Sequence, residues 1–106
     1  MIPLQSLLQQ CKARLVAHYG SHFKGLVLYG SCARNEAGPN SDIDLLILLD
    51  SPPKYSEEIR CIIDLLYPLQ LECEHLISAK PVFFNEFEVG SIQLYRNAKE
   101  EGVRVE

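Results

Sequence analysis

Apolar residues near the start of the chain fall at three- and four-residue steps: Leu4, Leu7, Leu8, Cys11 and Leu15, with Gln, Lys and Arg opposite. That spacing predicts an amphipathic helix over residues 3–19, with Gly20 as its C-cap. His18 and His22 flank this stop and read as surface or cap residues. The pattern then changes to short apolar runs. Residues 24–29 form the first predicted strand, and Ile43 to Leu49, apolar at almost every position, form a central strand buried on both faces. Ser51-Pro52-Pro53 breaks it. A second helix follows over residues 55–66, with Ile59, Ile62, Ile63 and Leu66 as its buried stripe and Pro68 as punctuation. Residues 69–77 alternate, with Leu71, Cys73, His75 and Ile77 on one face and Gln70, Glu72 and Glu74 on the other, which predicts a half-buried strand closed before Pro81. A last helix starts at Asn85 or Glu86 and carries Phe87, Leu94, Tyr95 and Ala98, with Gly90-Ser91 between them. Val103 to Val105 suits a short edge strand. The whole reads as one α+β domain over residues 1–106.

Composition narrows the class. With 47% apolar and 23% charged residues, the chain is an ordinary globular one. A net charge of −4 with no basic stripe argues against strong free nucleic-acid binding. Met1-Ile2-Pro3-Leu4 carries no basic region or long apolar run, so no signal peptide or membrane span is expected. The four cysteines, Cys11, Cys32, Cys61 and Cys73, lack Cys-x-x-Cys spacing and read as reduced thiols of a cytoplasmic protein. Cys32 is expected to fill space.

The candidate chemistry lies between the first two strands. Gly30-Ser31 ends the first, and ten residues separate Ser31 from Asp42-Ile43-Asp44, which opens the second. Strand alternation puts Asp42 and Asp44 on one face and turns Ile43 and Leu45 the other way. Two carboxylates side by side repel, and a divalent cation relieves that repulsion. All-oxygen ligands suit Mg²⁺ or Mn²⁺. Gly30 allows close backbone approach, and Ser31 opens an expected short helix over residues 32–36 whose free N–H groups suit a phosphate. Arg34 is placed to contact a phosphate, and Ser41, in the turn-forming Gly38-Pro39-Asn40-Ser41, either braces that turn or helps hold a phosphate. Together these features describe a nucleoside triphosphate held by its phosphates and its metal.

Gly30-Ser31 followed by Asp42-Ile43-Asp44 resembles the signature of the polymerase-beta-like nucleotidyltransferase superfamily, and the small size resembles its minimal branch. The resemblance implies a small mixed sheet flanked by about four helices. It implies ATP as substrate, two Mg²⁺ ions (or Mn²⁺), and a third carboxylate on the strand after the second helix, for which Glu72 is the choice and Glu74 the alternative. In that reading Asp42, Asp44 and Glu72 are the catalytic metal ligands, while Gly30, Ser31, Arg34 and Ser41 serve the nucleotide. Minimal members are often paired with a HEPN-domain toxin, so the resemblance implies transfer of AMP to a tyrosine of such a partner, an antitoxin role. A silent binding antitoxin and an enzyme acting on a small molecule or RNA stay open, as does assembly with itself or with another chain.

Overall fold

The computed structural model describes residues 3–34, 38 and 41–106. Helix α1 (Leu4–Tyr19) leads through one 3₁₀ turn into strand β1 (Phe23–Tyr29). Strand β2 (Ile43–Leu49), helix α2 (Tyr55–Gln70), strand β3 (Ile77–Phe83), helices α3 (Phe84–Val89) and α4 (Gln93–Glu101), and strand β4 (Val103–Arg104) follow. The mixed sheet has the order β3-β2-β1-β4. β1 runs antiparallel to β2 and β4, and β2 runs parallel to β3.

Strand alternation divides the core into two halves. Leu26, Leu28, Ile43, Leu45, Ile47 and Leu49 point to the side of α1 and α2, where they meet Leu7, Cys11, Leu15, Ile62 and Leu66. Val27, Leu46, Leu48 and Val82 point to the other side, against Phe87 of α3 and Ala98 of α4. β2 is therefore sandwiched, and Leu45, Leu46, Ile47 and Leu48 have no exposed surface. Each such side chain contributes about 1.5–3 kcal/mol through burial. The Tyr19 hydroxyl donates to Glu58 in a partly buried contact that joins α1 to α2.

Two sequence expectations are corrected. The alternating segment 69–77 is not a strand. α2 continues through Pro68 to Gln70, because Ile62, Leu66 and Leu69 keep helical spacing and all three are buried. Pro68 fixes a φ compatible with the helix, and its lost N–H and its crowding of the Asp64 carbonyl are offset by the burial of Leu66 and Leu69 on either side of it. The strand instead begins at Ile77 and runs through Pro81. Proline is tolerated there because β3 is an edge strand and needs no donor on its outer side. The last helix is two helices, since Gly90 adopts φ 66° and ends α3. Ser31 to Arg34 form a turn, with the Arg34 nitrogen 3.3 Å from the Gly30 carbonyl and 3.2 Å from that of Ser31, and residues 35 and 36 of the expected short helix lie outside the described residues.

Cys11 is wholly buried, and that burial pushes its thiol up to about 11, with the Cys73 thiol adding to the effect and Arg14 opposing it. An unfolded thiol ionises near about 8.5. Between those values the unfolded chain gives up a proton that the native state keeps, so the contribution is intact below the unfolded value and is lost as pH rises through the folded one. Urea unfolding across this alkaline range is expected to show stability falling with pH, with a shallower fall in Cys11→Ala. Parallel slopes in the two proteins would contradict the assignment.

Candidate functional site

The β1–β2 pair builds the site. Its antiparallel register sets Leu28 opposite Leu45 and Tyr29 opposite Asp44. Tyr29 and Asp44 therefore share the α3/α4 face, one pair beyond Val27 and Leu46. Asp42 is exposed and Asp44 half-buried, while Ile43 and Leu45 enter the opposite core as alternation requires. The chain leaves β1 through Gly30 at φ 75°, a left-handed conformation. A methyl group on Gly30 would overlap the Asp44 Oδ2 atom, so only glycine lets the turn rest directly on that carboxylate.

The charges around Asp44 are informative. Burial first, and then the negative charge of Asp42, raise its carboxyl above the ordinary aspartate value, while the Lys80 ammonium pulls the other way. Burial, then Asp44, then Tyr55 push the Tyr29 phenol up to about 12. The Cys32 thiol is raised by burial, then by Asp44, Asp42 and Cys73, and lies 3.4 Å from the Asp42 carbonyl. A raised thiol stays protonated and unreactive, which suits a space-filling role.

Ser41 is held in its turn: the Gly38 N–H donates to its Oγ at 2.9 Å, and its own N–H donates to the Gly38 carbonyl at 3.2 Å. Residues 39 and 40 of that expected turn lie outside the described residues. The His75 Nδ1 is 2.8 Å from the Ser41 carbonyl, which can only accept, so Nδ1 carries the hydrogen. The Arg34 Nη1 lies 3.5 Å from Glu101 Oε2 at the end of α4.

Glu72 and Glu74 are both exposed in the connection after α2, ahead of β3. The structure does not bring either into a metal-binding group: among the described residues no three His, Cys, Asp or Glu side chains converge as one. The strand after the second helix carries Ile77-Ser78-Ala79-Lys80-Pro81-Val82-Phe83 and no carboxylate. Its register sets Ser78 beside Asp44 and Lys80 beside Leu46, and both point to the site face, because Ile77 and Ala79 pack on the opposite core. Sequence reading missed these two. The signal was the polar–apolar alternation from Ile77 to Lys80, which the placing of a terminator at Pro81 concealed.

Two carboxylates of one strand face, set against a glycine turn and next to a protonated thiol, form a hard oxygen donor set. It fits one Mg²⁺ or Mn²⁺ that completes its shell with water and phosphate. Compared with known families, the chain matches the model of the nucleotidyltransferase domain over residues 8–105. No curated protein matches it.

Gly30→Ala is expected to cost about 1–2 kcal/mol through its left-handed backbone alone, with a further cost from overlap with Asp44. In an Asp44→Ala background the same change is expected to cost only the backbone part, as measured by a double-mutant cycle in urea. Equal costs in both backgrounds would show that the turn does not rest on Asp44. The raised Asp44 carboxyl means that its ionised form weakens the apo fold at neutral pH. The native state holds its proton more tightly than the unfolded chain, so the favourable contribution exists at low pH and is lost as pH rises through the folded value. Asp44→Asn is therefore expected to raise the Tm of the metal-free protein at pH 7 and to leave it nearly unchanged in acid. A lower Tm at pH 7 would reverse that reading.

Proposed function

The chain belongs to the nucleotidyltransferase domain family, and on that premise we propose that it transfers AMP from ATP to a hydroxyl acceptor, a tyrosine of a HEPN-domain partner, in the cytoplasm. The observation that carries the proposal is the Asp44 carboxylate set against the Gly30 turn, near enough to Asp42 to feel its charge. Such a site presents anionic oxygens to a cation and backbone groups to a phosphate within one small area.

In the proposed reaction the acceptor oxygen attacks the α-phosphorus. A new P–O bond forms, the bond to the β-phosphate oxygen breaks, and pyrophosphate leaves. The acceptor proton passes to a carboxylate of the pair. Asp42 and Asp44 would hold Mg²⁺, which when bound supplies charge neutralisation at the triphosphate. Gly30 lets the turn approach the β and γ phosphates, and Ser31 adds a hydroxyl donor. Ser41 keeps the turn before Asp42 in place through its two bonds with Gly38. Arg34 would contact phosphate by exchanging its contact with Glu101. Tyr29 stands opposite Asp44 in the strand register as a protonated phenol. The rate would come from positioning and charge neutralisation rather than from a covalent enzyme intermediate.

A second reading has an observation of its own. Ile63, Tyr67, Leu71 and Leu76 expose large apolar surfaces along α2 and the connection that follows it. A partner bound there could be neutralised by contact alone. Incubation with α-labelled ATP, Mg²⁺ and a HEPN-domain protein separates the two. Label on the partner is expected with the native chain and is expected to fall at least about 100-fold in Asp42→Asn/Asp44→Asn. Full neutralisation of the partner by the unlabelling double variant would favour the binder. Label on RNA or a small molecule, with none on protein, would replace the acceptor.

A further inference from the structure

The strand beside the carboxylate pair brings a cation to the site rather than another anion. Ser78 is register-paired with Asp44, and Lys80 with Leu46 one pair further along, on the same face. Lys80 is only partly exposed, and among the described residues it makes no hydrogen bond or ion pair within 4.0 Å, although its charge acts on Asp44. A lysine placed beside a half-buried carboxylate without closing an ion pair leaves its three donors available for a third party.

The charge balance on this face decides what that third party is. Asp42 and Asp44 supply two negative charges and Lys80 one positive charge. Two divalent cations would have to share two protein carboxylates, since β3 carries no third one, and the Lys80 ammonium would repel the second. One divalent cation carried by a triphosphate meets both carboxylates, while the surplus phosphate charge meets Lys80. An ammonium is a compact point charge well suited to phosphate.

We propose that this site takes a single divalent cation together with the triphosphate, and that Lys80, aided by the Ser78 hydroxyl, binds phosphate where a second cation would otherwise neutralise it. This rests on the nucleotidyl-transfer reading and differs from the two-ion arrangement that the family resemblance implies. Lys80 becomes a binding residue for the substrate, and β3 becomes part of the nucleotide cradle. Replacing Ser78 with a carboxylate would set a third anion directly beside Asp44 and shift the balance toward a second cation.

Equilibrium dialysis of the full chain with Mn²⁺ and stoichiometric α,β-methylene-ATP tests the proposal. The native chain is expected to retain one Mn²⁺ per chain at saturation, and Ser78→Asp is expected to retain two. Lys80→Gln is expected to bind the analogue about tenfold more weakly, equivalent to about 1.4 kcal/mol. Lys80→Arg should recover part of that loss, and Lys24→Gln, at the far end of β1, should show none. Circular dichroism and Tm confirm that each variant is folded. Two ions retained by the native chain, or undiminished analogue binding by folded Lys80→Gln, would overturn the proposal while leaving nucleotidyl transfer standing. Failure of the native chain to bind the analogue with Mn²⁺ at all would overturn both.

Discussion

The contact between the Gly30 turn and the Asp44 carboxylate depends on one constraint, the register of β1 against β2. Tyr29 lies opposite Asp44 because Leu26, Val27 and Leu28 lie opposite Ile47, Leu46 and Leu45. A slip of one residue would turn Asp44 into the α1/α2 core and set a leucine at the site. Burial forbids that slip. The β2 side chains fill one or other half of the core, so both faces of the strand are fixed at once. The site is precise because the greasy strand behind it has nowhere else to go.

The same arrangement explains the electrostatics. A half-buried carboxylate beside a second one is unfavourable for an isolated fold, and the raised Asp44 carboxyl expresses that. The protein tolerates the cost because Asp44 stands at the mouth of the sheet, where Asp42 remains in water. Functional sites gather such perturbed groups, since a ligand of opposite charge relieves them on binding. Tyr29, Cys32 and Lys80 all respond to Asp44 or act upon it. This carboxylate is the electrical centre of the face.

Much of this was legible in the sequence, and for identifiable reasons. The β2 strand and the direction of its two aspartates follow from alternation alone, and α1 follows from its stripe. The glycine turn was visible because Gly30 stands where an apolar run stops. What misled was local chemistry that tertiary context overrode. Pro68 and Pro81 read as terminators, yet the burial of Leu66 and Leu69 carries the helix past the first, and the second stands on a sheet edge, where it is tolerated. The alternation of Leu71, Cys73, His75 and Ile77 imitated a strand, but Leu71 is one of the most exposed leucines of the chain. Periodicity over a few residues does not say which face meets a core. Tyr29 was visible as the end of a strand, but its place beside Asp44 required the register.

The connection after α2 determines which β3 side chains reach the site, and side-chain and backbone hydrogen bonds outside any helix or strand hold it. The Gln70 amide donates to the His75 carbonyl at 2.9 Å and accepts from the Ile77 N–H at 2.7 Å. Ile43 donates to the Leu76 carbonyl at 2.8 Å, and His75 donates to the Ser41 carbonyl at 2.8 Å. These bonds lock the start of β3 to the last residue of α2 and to the two ends of the Ser41–Ile43 step. With Ile77 fixed in this way, Ser78 must stand beside Asp44, and Lys80 must follow on the same face. Glu72 and Glu74 are held outside the sheet by the same clamp, since only three residues, Glu74 to Leu76, separate Cys73 from the start of pairing at Ile77. The length of α2, extended through Pro68, thus fixes the chemistry of a strand that begins seven residues after the helix ends. A helix ending at Leu66 would free the intervening acidic residues to pair beside β2, and the face would then carry anions where it now carries Ser78 and Lys80.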